Sequence, residues 1–200
     1  QMPGREERLN EQLIKDMPQL VDTLAQEITV FSKKPFAFFG HSMGAIVAYE
    51  TARRLDSMKV SKPIHLFVSA RAAPHLQENT DLLRFLDDQT FVDRLQETYG
   101  AVPEAIRKSP ELRKTFLPIL RADVELLEKY EEVSSETLDY PITALGGISD
   151  PAISRANLEG WQARTSAKLI RHEFPGNHFF IDEEREAVIA AITNDLAHSL

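Results

Sequence analysis

The chain has 200 residues, of which 42% are hydrophobic and 27% are charged, a composition ordinary for one globular domain with a substantial core. A formal net charge of -8 argues against nucleic acid or an anionic membrane as a partner, and no apolar run is long enough to cross a bilayer. The absence of cysteine excludes disulfides, thiolate catalysis and cysteine metal sites. Together these features favour a cytoplasmic protein and a single domain over residues 1–200.

The amino end combines a polar loop with an apolar repeat. Residues 1–7 predict a loop. Apolar side chains then recur at helical spacing, at Leu9, Leu13, Met17, Leu20, Leu24 and Ile28. This spacing predicts a helix that starts or kinks at Pro18.

The pentapeptide Gly40-His41-Ser42-Met43-Gly44 lies between an apolar run at Phe36–Phe39 and a helical pattern at Met43–Asp56. A G-x-S-x-G sequence between a strand and a helix is typical of a nucleophile elbow, in which the serine occupies a strained turn. The flanking glycines are expected to avoid side-chain clashes across that turn. The backbone N–H of Met43 is then placed to donate to an oxyanion. An ordinary glycine-rich turn is the alternative, and His41 is expected to have a packing role.

Three further apolar segments predict strands, at Ile64–Ser69, Ile142–Leu145 and Leu169–Phe174. Helices are predicted at Ser154–Ala163 and Glu183–Ala197. Because strands alternate with helices, the sequence predicts an α/β fold with a mostly parallel sheet covered on both faces.

Residues 80–130 interrupt this alternation with a helical pattern. Thr90-Phe91-Val92-Asp93 resembles a capping box, and Ser109-Pro110 resembles an N-cap followed by proline. An apolar stripe interrupted at Pro118 follows, formed by Leu112, Phe116, Leu120, Val124 and Leu127. We interpret the segment as a helical lid inserted above the carboxyl edge of the sheet, where α/β proteins bind ligands. A closed helical subdomain is the alternative.

A serine nucleophile needs a base, and the base needs a group that orients it. Asp150 follows the predicted strand Ile142–Leu145, and His178 follows the predicted strand Leu169–Phe174. Their order after Ser42 is the order that a hydrolase elbow requires. The sequence therefore predicts a catalytic triad of Ser42, Asp150 and His178. No ligand spacing supports a metal, and no cofactor is expected.

Several blocks of the sequence together resemble the type II thioesterases, stand-alone α/β-hydrolases of polyketide and nonribosomal peptide synthesis. The matching blocks, in order, are Gln1–Glu6, Gly40–Gly44 with Ala48-Tyr49-Glu50, Phe67–His75, Leu120–Asp123, Gly146-Gly147 with Asp150-Pro151, and Phe174–Phe180. The resemblance spans nearly the whole chain and implies the same triad. It also implies hydrolysis of acyl thioesters from the phosphopantetheine arm of an acyl or peptidyl carrier protein, which clears stalled or wrongly primed carriers or releases a product.

The resemblance also implies an α/β-hydrolase fold whose first strands are not in this sequence. The family carries strands before the Pro-Gly-Arg-Glu block, together with a loop that supplies a second oxyanion N–H. We therefore expect this chain to be the carboxyl-terminal part of a longer protein. A monomer is expected.

Three other functions share some of these features. A general carboxylesterase or lipase of the same fold would carry the same triad, and a terminal thioesterase domain of a large synthase would do so too. A non-catalytic, carrier-binding fragment is the third alternative. Docking of a carrier would need a local basic patch, and the candidates are Arg53, Arg54, Lys59 and Lys62.

Overall fold

A computed structural model describes residues 1–31, 34–77 and 82–199. The strands are β1 (Ala37–His41), β2 (His65–Ser69), β3 (Ile142–Gly147) and β4 (Leu169–Phe174). The α-helices are α1 (Met17–Phe31), α2 (Met43–Met58), α3 (Asp88–Tyr99), α4 (Glu104–Lys108), α5 (Pro110–Glu128), α6 (Arg155–Glu159), α7 (Phe180–Glu183) and α8 (Arg185–Ala197). The chain divides into two compact units, one of Gln1–Leu20 and Glu78–Glu131 and one of Val21–Gln77 and Glu132–Leu200.

The larger unit, Val21–Gln77 with Glu132–Leu200, is built on a parallel sheet. Its four strands lie in the order β1-β2-β3-β4, and each pairs with the next in parallel. All five residues of β2 and all six of β3 are buried, as expected for central strands covered on both faces. The α/β prediction is confirmed, because every predicted strand is present within two residues of its predicted ends.

Two predicted helices of this unit have different bounds in the structure. The predicted helix Ser154–Ala163 is α-helical only as far as Glu159, and a 3-10 helix, Gly160–Arg164, replaces its second half. Glycine has a low helix propensity, and the tighter winding after it buries Trp161, whose indole N–H donates to the carbonyl of Arg71 at 2.8 Å. The predicted helix Glu183–Ala197 begins at Arg185, because Glu184 has a non-helical backbone.

A chain of polar side chains, three of them buried, connects the sheet to α8. The ring nitrogen Nε2 of His172 lies 2.9 Å from Asp195 Oδ2, and the hydroxyl of Thr143 donates to the same oxygen at 2.9 Å. Since the Thr143 hydroxyl donates its proton to Asp195, it accepts from Nε2 of His65 at 2.8 Å, and Ser199 lies 2.8 Å from the other nitrogen of His65. Burial lowers the pKa of His65 below its ordinary value of 6.5, which keeps its ring neutral.

Asp195→Ala is expected to destabilise the protein by about 2–4 kcal/mol, since the substitution leaves buried donors without their acceptor. The measurement is the free energy of unfolding from urea denaturation. The control is Glu186→Ala, which removes an exposed carboxylate from the first turn of the same helix and is expected to cost less than about 1 kcal/mol. Equal losses in the two variants would show that the buried network contributes nothing specific.

The smaller unit, Gln1–Leu20 with Glu78–Glu131, is helical. The helical insertion is confirmed by α3, α4 and α5, whereas its lid role stays a prediction. The core of this unit is formed by Phe91, Val92, Leu95, Val102 and Leu117. An ion pair between Arg5 and Asp123 lies in the same unit and joins two of the sequence blocks that carry the family resemblance.

Three details of the helical pattern differ from the sequence prediction. The first is the start of α3, where Asp87 is the N-cap and accepts from the N–H groups of residues 89 and 90, so Thr90 lies inside the helix. The second is α5, which runs without a break across Pro118 after the predicted Ser109 cap. The third is the apolar stripe predicted on α5. Its members Leu112 and Phe116 are exposed, whereas other residues of the helix are buried.

The amino-terminal apolar repeat is helical only in its second part. Leu9 and Leu13 precede α1, which begins at Met17. Asp16 Oδ1 accepts from the backbone N–H of Gln19 at 2.9 Å, so this carboxylate caps the helix start. Among residues 1–31, 34–77 and 82–199, no helix has the length and apolar character that a bilayer span requires.

Candidate active site

Ser42 occupies a strained turn between β1 and α2. Its backbone φ of 52° and ψ of -116° lie outside the regions that ordinary residues populate. The turn is fixed by two hydrogen bonds: Ser42 N–H donates to the carbonyl of Ser69 at 2.8 Å, and Ala45 N–H donates to the carbonyl of Ser42 at 3.0 Å. This is the geometry that the sequence predicts for a nucleophile elbow.

The two glycines of the elbow have different roles. A Cβ on Gly40 would lie 2.1 Å from the carbonyl oxygen of Gly44, so the turn can form only when residue 40 has no side chain. A Cβ on Gly44 would meet no atom within 4 Å. The expectation that both glycines avoid side-chain clashes is therefore wrong for Gly44, whose backbone approaches Gly40 but whose own side-chain direction is open.

Gly40→Ala is predicted to destabilise the protein, whereas Gly44→Ala is not. Gly40→Ala should cost at least about 3 kcal/mol, because the new methyl group collides with backbone rather than with a movable side chain. Gly44→Ala should be neutral or stabilise by up to about 1 kcal/mol, because alanine favours the helix that the residue occupies. Thermal and urea unfolding of the two variants checks both values. A large loss in Gly44→Ala would contradict this account of the turn.

Asp150 and His178 lie on loops after β3 and β4, at the carboxyl edge where Ser42 follows β1. The two loops are joined by the N–H of Ser149, which donates to the carbonyl of Gly176 at 2.9 Å. A Cβ on Gly147 would lie 2.2 Å from the carbonyl oxygen of Asn177, so the absence of a side chain there lets the loops approach. The sheet and these contacts bring the acid and the histidine together.

The three predicted triad side chains form one hydrogen-bonded chain. Nδ1 of His178 lies 2.8 Å from Asp150 Oδ2, and Nε2 lies 3.0 Å from Ser42 Oγ. The side chains of His178 and Asp150 are 2% and 0% exposed. The other carboxylate oxygen of Asp150 accepts from the backbone N–H of Ala152 at 2.9 Å. A carboxylate accepts only, so Nδ1 carries the proton and Nε2 presents its lone pair to the serine hydroxyl.

Met43 is the first residue of α2, directly after Ser42. The leading N–H groups of a helix have no acceptor within the helix and carry a partial positive charge. The backbone N–H of Met43 is thus of the type that stabilises an oxyanion, and its role in the oxyanion hole stays a prediction.

His41 contacts the aromatic side chains around His178. Its ring centroid lies 5.3 Å from that of His178 and 5.5 Å from that of Phe179, and its Nδ1 lies 2.9 Å from Ser69 Oγ. Burial, together with the neighbouring His178, lowers the pKa of His41 from its ordinary value of 6.5 to about 4. The packing role expected for His41 is present, and the contact with His178 is an addition that sequence reasoning missed.

The depressed pKa of His41 makes stability depend on pH. Between pH 6.5 and 4 the unfolded chain binds a proton at His41 that the folded chain refuses, so the free energy of unfolding falls as pH falls through this window. In wild type the free energy of unfolding should decrease between pH 7 and pH 4.5. His41→Phe should make that decrease smaller by about 2 kcal/mol, since one pKa unit corresponds to about 1.4 kcal/mol. Urea denaturation at the two pH values measures it. An identical loss in wild type and variant would contradict the pKa.

The other histidines bind different partners. His65 and His172 belong to the buried network on α8, and Nδ1 of His198 donates to the carbonyl of Asn194 at 2.7 Å. His75 lies in a 3-10 helix, Pro74–Leu76, where burial lowers its pKa. In the part of the chain that the structure describes, no group of acidic or histidine side chains could hold a metal ion.

Three of the four basic residues considered for carrier docking form ion pairs with acidic side chains. These pairs are Arg53–Glu50 at 2.9 Å, Arg54–Asp22 at 2.7 Å and Lys62–Asp139. The group therefore presents less net positive charge than the sequence implies, and its docking role stays a prediction.

Ser69 is a site residue that the sequence analysis identified only as the end of a predicted strand. It ends β2, and its carbonyl accepts a hydrogen bond from Ser42 N–H. Its hydroxyl forms a hydrogen bond with Nδ1 of His41. The signal that could have found it is topological. The carboxyl ends of parallel strands share one edge, so the residue that ends the strand beside β1 must lie close to the elbow.

A parallel sheet with a strained serine turn at its carboxyl edge is the architecture of the α/β-hydrolases, which confirms the predicted fold class. Residues 1–196 match the family described as thioesterase domain. The chain belongs to the thioesterase family.

Two proteins of similar sequence and one solved structure support the assignment to this family. The chain is 38% identical over 198 residues to linear gramicidin dehydrogenase LgrE of Brevibacillus parabrevis, with 98% of the chain and 75% of that protein covered. It is 35% identical to gramicidin S biosynthesis protein GrsT of Aneurinibacillus migulanus, with 98% and 76% covered. The structure of the type II thioesterase BorB, from the borrelidin biosynthetic cluster, matches with a TM-score of 0.86 at 34% identity, over 97% of this chain and 78% of that one. The predicted resemblance to type II thioesterases is confirmed.

Proposed function

We propose that this protein is a serine thioesterase that hydrolyses acyl groups held as thioesters on the phosphopantetheine arm of a carrier protein. The observation that carries the proposal is the hydrogen-bonded chain from Asp150 through His178 to Ser42, with distances of 2.8 and 3.0 Å. Membership of the thioesterase family supports the reaction type. Similar proteins from gramicidin S and borrelidin biosynthesis support a substrate carried by a biosynthetic enzyme that assembles peptides or polyketides.

In the acylation step His178 acts as the base. Nε2 of His178 takes the proton of Ser42 as Oγ attacks the thioester carbonyl carbon, and Asp150 stabilises the imidazolium that forms. The backbone N–H of Met43 donates to the developing oxyanion. The carbon–sulfur bond then breaks, and the pantetheine sulfur leaves with the proton that His178 returns.

Deacylation repeats the proton transfers with water as the nucleophile. His178 removes a proton from the water as it attacks the acyl-serine carbonyl, and then returns the proton to Ser42 Oγ. The acid is released and the serine is restored. No cofactor takes part, because each proton moves between the substrate, water and the triad.

A thioester is a suitable substrate because a thiolate leaves more readily than an alkoxide or an amine. A general carboxylesterase would use the same triad on oxygen esters. The thioesterase function is favoured because the family match and the similar proteins of known biosynthetic context cover nearly the whole chain. The partner is an acyl or peptidyl carrier protein, and the proposed location is the cytoplasm, with the protein acting as a monomer.

The proposed function predicts that Ser42→Ala abolishes release of the acyl group from an acyl-phosphopantetheinyl carrier protein. Asp150→Asn should lower kcat about 10³–10⁴-fold, because an amide at this position favours the wrong tautomer of His178. Asp139→Asn, which changes an exposed carboxylate in the same way, is the matched control and should retain activity. Steady-state hydrolysis is measured beside a matched oxygen ester. Faster turnover of the oxygen ester, or activity that persists in Ser42→Ala, would sink the proposal.

A further inference from the structure

The ring of His41 lies against the ring of the proposed base. The two ring centroids are 5.3 Å apart with an interplanar angle of 60°, and Phe179 and Phe180 lie 5.5 and 6.3 Å from the His41 ring. Phe180 in turn stacks on Phe174 at the end of β4. His41, a residue of the elbow, therefore packs against His178 and against the two aromatic residues that follow it.

Ser69 holds both the elbow and His41. Its carbonyl accepts from the N–H of Ser42 at 2.8 Å, and its Oγ lies 2.9 Å from Nδ1 of His41. Ser69 is fully buried. One residue of β2 thus fixes the nucleophile through its backbone and the His41 ring through its side chain.

Burial is the main reason why His41 stays neutral beside a base that becomes charged. His178 repels a proton on His41, whereas Asp150 and Asp182 attract one, and burial outweighs both carboxylates. The Nε2 of His41 is buried and has no hydrogen-bond partner among the residues that the structure describes. Ser69 is therefore its one polar anchor in that part of the chain, and the neutral ring adds no positive charge to the imidazolium that forms on His178.

We propose that the Ser69–His41 pair is a positioning device for the triad, in which the Ser69 hydroxyl fixes the His41 ring and this ring keeps His178 aligned between Asp150 and Ser42. The proposal rests on the proposed function, because it assigns the pair a role in the chemical step. His41 itself neither gives nor takes a proton in the reaction. Loss of the pair should slow catalysis while leaving substrate binding unchanged.

A second histidine–serine pair in the same unit provides a matched control. His65 is buried on β2, and its Nδ1 lies 2.8 Å from Ser199 Oγ. Its ring stacks on Phe67 rather than on a triad residue. Ser199→Ala therefore removes the same hydroxyl from a comparable histidine without changing the surroundings of His178.

The first measurement is kinetic and uses the whole chain with an acetyl-phosphopantetheinyl carrier protein as substrate. Ser69→Ala and His41→Phe should each lower kcat about tenfold with KM unchanged, since small errors in alignment are costly in the chemical step. The double variant should be no slower than the slower single variant, because the two residues act as one unit. Ser199→Ala should leave kcat within twofold of wild type.

The second measurement needs no turnover. In wild type, proton NMR should show a sharp low-field signal from the His178 Nδ1–H that donates to Asp150. Ser69→Ala and His41→Phe should broaden this signal as the ring loses its alignment, and Ser199→Ala should leave it sharp. If thermal unfolding shows that Ser69→Ala is not folded, both measurements are made on His41→Phe.

The proposal is overturned if the low-field signal is as sharp in both variants as in wild type, or if the losses in kcat simply multiply in the double variant. It is also overturned if Ser199→Ala slows the reaction as much as Ser69→Ala. Failure of wild type to hydrolyse the thioester would instead overturn the proposed function, and the NMR comparison would still test the alignment of His178.

Discussion

The buried hydrogen bond between His178 Nδ1 and Asp150 Oδ2 is the contact on which the proposed active site depends. Its two side chains have almost no exposed surface, so neither water nor salt screens their interaction. The bond fixes the tautomer of His178 and with it the direction of the lone pair that faces Ser42. A carboxylate without this partner would be a costly buried charge, and an imidazole without the carboxylate would lose the acceptor that fixes its tautomer.

The fold brings these groups together through the parallel sheet. Each of four adjacent strands is ended or followed by one of these residues: Ser42, Ser69, Asp150 and His178. The common edge of the sheet therefore places them near one another independently of their side-chain contacts. Close backbone approaches then set the spacing. The absence of a side chain at Gly40 allows the strained elbow, and its absence at Gly147 allows the acid loop to reach the histidine loop. The strain at Ser42 is balanced by the sheet and by α2, which hold the residues on either side.

The two compact units differ in how well their sequences predicted them. The strands, and the grouping of Ser42, Asp150 and His178 at one edge of the sheet, were predictable because apolar runs, a glycine-flanked serine and the order of acid and histidine can be read from the sequence. The start of α3 was not, because Asp87 and Thr90 are both good capping residues and their competition is decided by the three-dimensional path of the chain. The exposure of Leu112 and Phe116 depends on which face of α5 meets the core, which helical spacing alone does not specify. The contacts of His41 and Asp195 join residues far apart in sequence, and no local pattern indicates them.

The central claim is that Ser42 carries the acyl group during turnover, and trapping that intermediate tests the claim most directly. An acetyl-phosphopantetheinyl carrier protein with an isotopically labelled acetyl group would be mixed with excess enzyme, quenched in acid within one turnover, and the peptides analysed by mass spectrometry. The account predicts labelled acetyl on the peptide that contains Ser42, at the serine oxygen. Label on another residue, or release of labelled acetate with no acyl-enzyme at any quench time, would contradict it.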